Sequence, residues 1–418
     1  MRMTIRPKPV PSSTKMVYPG ILWCVILLAS CDRTPQLTEQ EQADLRPAPS
    51  PSLEVHPEDN LQERIDQAAR DGLSTVVLRE GTYAPTHPGM ALLILTGRHD
   101  GLTIRGKPGE RVVLTAANEP LADPRSPSFP AVVNHVLLVA DGVTSRTRLQ
   151  NLILTGANGF VSKSVESLEQ NYPEYSGGLT PGLFFLLDGG ALKVFGNSTP
   201  VFANCVIERN RTLLCGGGIS IEQQFRATAP VEFRDCIFRN NHCPATGAAV
   251  DVLAGGRATF DNCLFVSNIA NTGMDEIAGT FGFTYNEKHG CGALTVFPQS
   301  QVQVRRCTFT NNWNGVDDHG QDSEYRDSIF WMNDAWNQSR PGQPYELDVP
   351  SPGLIIGCAI HGQINDLQHR IDPVANLLNA PNPDFDVQFV PRNPEYVNRG
   401  YRPTGWNPDR QEPSNDPI

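Results

Sequence analysis

The segment Phe260-Asp261-Asn262-Cys263-Leu264-Phe265-Val266-Ser267-Asn268 carries a pattern that this chain repeats. The pattern reads apolar-x-x-Cys-x-Phe/Ile-x-x-Asn, with Ser replacing Cys in one copy and Gln replacing Asn in another. Similarity that recurs every twenty to fifty residues or so is typical of solenoids, in which each repeat forms one coil. The copies begin at Phe202, Phe233, Phe260, Val304, Tyr325 and Ile355.

The spacing within each copy predicts two short strands joined by a corner. The Cys and the following Phe or Ile are two residues apart, which places both side chains on one face of a strand. The step from the first apolar residue to the Cys is three residues and therefore requires a bend. The residues before the Cys are mostly turn formers: Asn204, Asp235, Asn262, Arg306, Asp327 and Gly357.

A second phrase alternates with the first and predicts a third strand in each coil. Each copy begins with two small residues, which allow tight turns, and continues with a segment in which apolar residues alternate with other residues. The Cys-to-Cys intervals fit one coil of a parallel β-helix, and the longer step from Cys263 to Cys307 indicates an inserted loop. The copies are Gly190–Val194, Gly217–Ile221, Ala248–Val252 and Gly292–Val296.

Stacked coils explain why the same residue types recur. Like side chains lie above one another, so Phe packs on Phe, the cysteines fill a narrow interior column, and Asn amides hydrogen-bond from coil to coil. We interpret the cysteines as small apolar filler, since no Cys-x-x-Cys pair indicates a zinc site. The predicted ladder residues are Cys205, Cys236, Cys263, Cys307 and Cys358, with Asn210, Asn241, Asn268, Asn312 and Asn333.

These phrases resemble those of the right-handed parallel β-helix repeat proteins, over about Leu53 to Gly362. The resemblance implies an all-β, single-stranded solenoid of the pectate-lyase-like kind. That family includes polysaccharide lyases, hydrolases, tailspikes and surface proteins without known activity, so the resemblance predicts a fold and leaves function open.

The first 57 residues predict export and anchoring. Residues 1–30 combine four basic residues with a short apolar run and read as a signal peptide. Leu28-Ala29-Ser30-Cys31 resembles a bacterial lipobox, which implies lipidation at Cys31 and attachment to the cell envelope. A plain signal peptide with a chance cysteine is the alternative. Residues 31–57, rich in Pro, Ser and Glu, predict a flexible tether.

The remaining chain divides into a solenoid and a tail. We expect a β-helix of about nine to eleven coils over residues 58–365. A short helix, N-capped by Asp59 and ended by Gly72, would cover its open N-terminal end. Residues 366–418 predict an irregular, Pro-rich tail that packs on the last coil.

The net charge restricts the classes of molecule that this chain is expected to bind. The net charge of −11 becomes about −15 once residues 1–30 are removed, which argues against nucleic acid as a partner. An acidic polysaccharide would therefore need a local basic patch or bound cations.

Three further cysteines, Cys215, Cys243 and Cys291, lie outside the interior column. Export permits a Cys215–Cys243 disulfide, although the spacing does not establish one.

Catalytic candidates lie in two loops that stacking could bring together. Lys288 or His289 would act as a base, Ca²⁺ or Arg305 would neutralise a substrate carboxylate, and Asp317 with Asp318 would bind the Ca²⁺. Such a set predicts β-elimination on a uronic-acid polymer. The alternative is that these residues are polar turn residues and solvated loop charges.

Trp313 and Trp331 could stack on sugar rings or fill gaps at an irregular end of the solenoid. Because no complete enzyme motif is present, we favour a lipid-anchored β-helix of the bacterial cell envelope that presents a long carbohydrate-binding or adhesion face. A Ca²⁺-assisted polysaccharide lyase is the alternative.

Overall fold

Three parallel β-sheets form the fold in the computed structural model, which describes residues 52–117, 131–158, 188–253, 255–271, 290–333, 344–350, 354–365 and 371–406. Strands are numbered along the chain. Sheet 1 contains β1 Ser52–Val55, β2 Thr75–Leu78, β5 Thr103–Gly106, β8 Arg148–Gln150, β11 Val201–Ala203, β14 Val231–Arg234, β17 Arg257–Asp261, β20 Gln301–Arg305, β23 Glu324–Arg326 and β26 Leu354–Ile356.

Sheets 2 and 3 form the other two faces of the solenoid. Sheet 2 contains β3 Gly81–Tyr83, β6 Val112–Thr115, β9 Ile153–Thr155, β12 Val206–Glu208, β15 Ile237–Arg239, β18 Leu264–Val266, β21 Thr308–Thr310, β24 Ile329–Trp331, β27 Ala359–His361 and β29 Leu377–Leu378. Sheet 3 contains β4 Gly89–Leu95, β7 Val133–Val139, β10 Leu192–Phe195, β13 Ile219–Glu222, β16 Val250–Val252, β19 Leu294–Val296, β22 Val316–Asp318, β25 Leu347–Asp348 and β28 Ile364–Asn365.

Each coil runs through sheets 1, 2 and 3 in turn, which confirms the predicted right-handed parallel β-helix. The corner between sheets 1 and 2 is the bend expected from the three-residue step. Its residue adopts the left-handed region in successive coils, with φ between 50° at Asn204 and 71° at Gly357. Asn and Gly tolerate this region best, which explains why turn formers recur there.

Helix α1, Leu61–Arg70, packs against β1, β2 and β4 of the first coils. Its buried face is Leu61, Ile65 and Ala68, as the apolar spacing indicates. Asn60 is the N-cap and accepts a hydrogen bond from the Glu63 amide at 3.3 Å. The expected cap, Asp59, instead accepts from the His56 amide at 2.8 Å, so the helix begins one residue later than predicted.

Aromatic stacks form much of the core. In sheet 2, the ring centroids of Phe238, Phe265, Phe309 and Phe330 follow one another at 4.6, 4.4 and 4.9 Å. In sheet 1, Phe233 stacks on Phe202 and on Phe260 at 5.1 Å each. The two stacks meet edge to face, as between Phe260 and Phe265 at 5.5 Å. Such contacts add to the hydrophobic free energy of burial.

The recurring Asn residues form a buried amide ladder. The Nδ2 of each donates to the Oδ1 of the next, from Asn210 to Asn241 at 3.1 Å and onward to Asn333. The same Oδ1 accepts the backbone N–H of the preceding Asn. Asn333 donates hydrogen bonds to the buried carboxylate of Glu346. The ladder ends there, because a carboxylate accepts hydrogen bonds and has no N–H to donate to a further coil.

The interior cysteines form a second column of buried thiols. Each Sγ lies near the carbonyl oxygen two residues earlier, for example Cys307 Sγ to the Arg305 oxygen at 3.2 Å. Ser328 makes the equivalent bond to the Arg326 oxygen at 2.8 Å, so Ser and Cys play the same part. The eight cysteines among the described residues are free thiols, and Cys215 and Cys243 are therefore not bonded to each other.

The ends of the solenoid differ from the expected boundaries of 58 and 365. Strand β1 pairs with β2, so sheet structure begins inside the predicted 31–57 tether. Strand β29 extends sheet 2 inside the predicted 366–418 tail. The sequence of neither segment predicts a strand. Each forms one because its backbone pairs with a neighbouring coil.

The tail packs along the outer face of sheet 2, from the last coils, where Tyr396 lies against Ile329 and Ala359 as expected, to earlier coils as well. This face carries apolar residues such as Val206 and Leu264, which alternate with the inward Ile207 and Phe265. Tyr401 packs against Leu264 and Val266, and Trp406 packs against Val206. The tail is held by polar contacts as well; the Arg402 amide donates to Asn262 Oδ1 at 2.7 Å. It thus covers apolar surface that would otherwise be exposed.

Among the described residues, no helix has the length and apolar character needed to cross a bilayer. The predicted lipidation residue, Cys31, lies outside the described residues. Its acylation stays a prediction.

Candidate functional site

A row of polar side chains runs along the outer face of sheet 3, and we call it the sheet-3 row. Strand pairing places one residue per coil in register, and in the copies of the second repeated phrase this is the fourth residue. At a coil spacing of about 4.8 Å, its seven positions extend over about 29 Å. From β10 to β28 the row is Lys193, Ser220, Asp251, Thr295, Asp317, Asp348 and Asn365.

The row results from strand alternation. The residues that flank Lys193, Leu192 and Val194, point into the apolar core, so Lys193 points outward. The ionisable members are nevertheless buried, with Lys193 and Asp251 at 0% exposure and Asp348 at 8%. Charged residues are seldom buried without a partner, which makes this face the strongest candidate for a site.

Asp317, His319 and Asp348 form a cluster in the C-terminal part of the row. One ligand atom from each lies within 4.8 Å of the others. His319 Nε2 is 2.9 Å from Asp317 Oδ1, and the His319 side chain is 35% exposed while that of Asp317 is 2% exposed. The carboxylates are therefore shielded, and the imidazole connects them to solvent.

Asp318 does not join this cluster. It lies in register with Val296 and points into the core. Its carboxylate accepts hydrogen bonds from Tyr325 Oη at 2.6 Å and from the Gly320 amide at 2.8 Å. The expected Asp317–Asp318 ligand pair is thus separated, because neighbouring residues of a strand point to opposite faces. The structure groups Asp317 with Asp348 instead.

The pKa of His319 is raised above its ordinary value of 6.5, chiefly by the hydrogen bond to Asp317, with smaller effects of the Asp348 and Asp318 charges. Because the folded pKa is raised, protonated His319 stabilises the fold fully below about pH 6.5, and this contribution is lost as the pH rises through the folded pKa. We expect an NMR titration of the imidazole to give a pKa above 6.5, falling toward it in Asp317→Asn. An unshifted pKa in the native chain would contradict the pairing.

The N-terminal part of the row contains a buried ion pair. Lys193 Nζ lies 2.7 Å from Glu222 Oε2 and 3.2 Å from Ser220 Oγ. Both charged side chains are almost fully buried, at 0% and 9% exposure. Since breaking a buried ion pair is costly, we expect removal of either partner to destabilise this part of the sheet.

Arg305, the predicted carboxylate-neutralising residue, lies on a different face. It is exposed at the end of β20 in sheet 1, in register with Asp261 and Arg326. Its guanidinium is 3.4 Å from Gln303, and Asp261 pairs with Arg306 at 2.7 Å. Sheet 1 therefore presents an exposed ladder of charged residues, and Arg305 and Asp317 lie on different sheets.

The two tryptophans do not form one platform either. Trp313 is 3% exposed and lies in the turn before β22. Trp331 lies on the outer face of sheet 2, where its ring contacts that of His361 in a tilted arrangement at a centroid distance of 4.3 Å. Trp331 also packs against the cluster that contains Tyr396 of the tail. Lys288 and His289, the predicted bases, lie outside the described residues.

Sequence reasoning overlooked Asp348 as a partner of Asp317 and overlooked the row as a whole. The signal was present in the fourth residue of the second phrase, which is Lys193 in Gly190–Val194 and Asp251 in Ala248–Val252. Reading that position as one outward column would have brought the ionisable residues together.

Residues 155–281 match the family described as "Right handed beta helix region". This agrees with the three parallel sheets. No curated protein and no solved structure matches the chain.

Proposed function

We propose that this right-handed β-helix binds an acidic polysaccharide in the cell envelope, through a divalent cation held by Asp317 and Asp348 beside His319. The observation that carries the proposal is the approach of two shielded carboxylates and one solvent-reaching imidazole to within 4.8 Å on the outer face of one sheet. Structural ion-pair networks also bury charges, but an imidazole at the surface of such a group is typical of a binding site.

The donor set suits a bridging cation. Carboxylate oxygens are the ligands that Ca²⁺ and Mn²⁺ prefer, and Ca²⁺ requires six to eight or so of them. Asp317 and Asp348 supply some of these, and water and a uronic-acid carboxylate would supply others. A bridging cation would also overcome the repulsion between an acidic chain of net charge −11 and a polyanion.

The pH dependence of such binding follows from His319. Its protonated form, favoured by Asp317, places a positive charge beside the cation. Binding of a cation is therefore strengthened as the pH rises through the raised pKa and the imidazole becomes neutral.

The test is a titration of alginate and polygalacturonate into the purified full-length protein, with Ca²⁺, Mn²⁺ or a chelator. We expect chelator-sensitive binding that Asp348→Asn weakens at least tenfold. Glu324→Gln, which removes an acid from exposed sheet 1, serves as the matched control and leaves affinity unchanged. Equal affinity in Asp348→Asn and the native chain, or binding that ignores the chelator, would overturn the proposal.

A polysaccharide lyase is the second candidate, favoured by the Asp317–His319 pair. The raised pKa of His319 keeps the imidazole positive at pH 6.5, where it could neutralise a substrate carboxylate in place of Arg305. A base near the substrate C5 is also required, and Lys288 and His289 remain the predicted residues. New absorbance of unsaturated uronate in the same titrations would indicate turnover. Turnover that survives both Lys288→Ala and His289→Ala would contradict the assignment of the base.

The location in the envelope rests on the lipobox-like segment at Cys31. Metabolic labelling with a fatty acid should mark the native chain and not Cys31→Ser. Equal labelling of the two chains would contradict an anchor at this residue.

A further inference from the structure

A second cluster lies in the N-terminal part of sheet 3 and is separate from Asp317. It consists of Asp188, Cys215 and Asp251, whose ligand atoms lie within 4.8 Å of one another. All three are buried, at 0%, 1% and 0% exposure. They come from three successive coils, since Asp188 precedes β10, Cys215 precedes β13, and Asp251 lies in β16.

The backbone holds this cluster in place. The Asp251 carboxylate lies against Gly216, whose φ is +62°, and a Cβ added to Gly216 would be 2.2 Å from Asp251 Oδ1. Only glycine therefore fits at that turn. Asp188 Oδ1 accepts a hydrogen bond from the Cys215 amide at 2.8 Å, which directs the other oxygen away from the backbone.

Three carboxylate oxygens of the cluster make no hydrogen bond of normal geometry, Asp188 Oδ2, Asp251 Oδ1 and Asp251 Oδ2, although the Ser220 hydroxyl lies close enough to act on the pKa of Asp251. A buried carboxylate without hydrogen-bond partners is strongly disfavoured, so a positively charged ligand would stabilise this arrangement. The neighbouring cation, Lys193, lies 2.7 Å from Glu222 Oε2, and its charge also acts to lower the pKa of Asp188 and of Asp251. The carboxyl groups of Asp188, Asp251 and Glu222 therefore share the Lys193 ammonium.

Burial shows how much the site disfavours negative charge without a ligand. Desolvation raises the pKa of Asp251 to about 7, against the opposing effect of Lys193. Desolvation and the Asp251 charge raise the pKa of Asp188, and desolvation also raises that of Cys215. A bound dication would reverse this balance, because it stabilises deprotonated ligands.

We propose that Asp188, Cys215 and Asp251 bind a transition-metal dication of the Zn²⁺ class. Two carboxylates and a thiolate are all accepted Zn²⁺ ligands, whereas thiolate is a poor ligand for Ca²⁺ and Mg²⁺. The ion would connect three coils that are otherwise joined by strand pairing and core packing. Its binding free energy would add to the stability of the fold.

The neighbouring cysteines do not account for the cluster. Cys243 is a free thiol whose Sγ lies 3.2 Å from the Thr246 oxygen. Cys291 Sγ lies 3.1 Å from Thr295 Oγ1. Each of these thiols thus has a partner of its own, and Cys215 is the thiol placed beside the two carboxylates.

The test uses the purified full-length protein, stripped with a chelator and then titrated with Co²⁺ and Zn²⁺. Thiolate-bound Co²⁺ gives a near-ultraviolet charge-transfer band. We expect the band at one Co²⁺ per chain, displacement of Co²⁺ by Zn²⁺, and a higher Tm with Zn²⁺. Cys215→Ser should lose the band, and Asp251→Asn should keep the thiol but bind at least tenfold more weakly.

The matched control is Cys307→Ser, since Ser328 already occupies the next position of that column with the same hydrogen bond. It should retain the band and the affinity. Asp348→Asn should retain both as well, which separates this site from the Asp317 cluster. Far-ultraviolet circular dichroism checks that each variant is folded, and Asp251→Asn replaces Cys215→Ser if the latter is not. No band in the native chain, or native affinity in the folded variants, would overturn the proposal.

Discussion

Replacing Phe265 with alanine is expected to destabilise the β-helix by about 4 kcal/mol, within the range for large aromatic truncations in a core. Phe265 is fully buried and stacks on Phe238 at 4.6 Å and on Phe309 at 4.4 Å. It also meets Phe260 edge to face at 5.5 Å. The truncation therefore removes three ring contacts and leaves a cavity between coils.

The effect should be local at first. In a solenoid each coil contacts mainly its neighbours, so stability is nearly a sum of coil and interface contributions. Hydrogen exchange of the amides in β15, β18 and β21 should accelerate more than that in β2 and β5. Phe265→Leu, which keeps most of the volume, serves as the control and should cost less than half as much. Uniform acceleration along the chain, or a loss below about 1 kcal/mol, would contradict the stacked-core description.

Replacing Asn268 with alanine is expected to cost a similar amount, about 4 kcal/mol, for a different reason. Its Oδ1 accepts from the amide and Nδ2 of Asn241 at 3.0 Å each. Its Nδ2 donates to the Phe238 oxygen at 3.0 Å and to Asn312 Oδ1 at 2.8 Å. Alanine would leave buried polar groups unsatisfied on both neighbouring coils, at about 1–3 kcal/mol for each.

Urea unfolding followed by hydrogen exchange provides the measurement. Asn268→Asp separates ladder bonding from side-chain volume, because the carboxylate accepts both bonds from Asn241 but repels Asn312 Oδ1. We expect it to be at least as destabilising as alanine. Gln303→Ala on exposed sheet 1 is the reference and should change stability by less than about 0.5 kcal/mol. If Asn268→Asp matched the native chain, the ladder would not depend on amide donors.

The predicted bends show that spacings of a few residues in the sequence are enough to predict the corners of the coil. The three-residue step predicted a corner, and φ values near 50° to 70° at Asn204, Asp235 and Gly357 agree with it. The amide ladder is equally local in origin, since one Asn per coil needs only stacking to meet the next. Its last rung, Glu346, is not an Asn and was therefore overlooked.

The candidate sites show that such short spacings do not predict which polar residues meet on one face of the solenoid. Asp317 and Asp318 are adjacent in sequence, yet they point to opposite faces, whereas Asp317 and Asp348 meet because their strands pair in register. Arg305 and Trp331 lie on sheets 1 and 2, away from the sheet-3 row. A strand residue emerges on the face that its position in the strand sets, so Arg305 and Trp331 do not join the row.

The repeated phrases by themselves determined the coil, its corners and its stacked interior, because these depend on residues a few positions apart and on like side chains meeting. Tertiary structure decided which polar residues share a face, because this depends on the pairing register of strands tens of residues apart. It also decided the course of the tail, since only the finished sheet 2 presents the apolar outer face that Tyr401 and Trp406 cover.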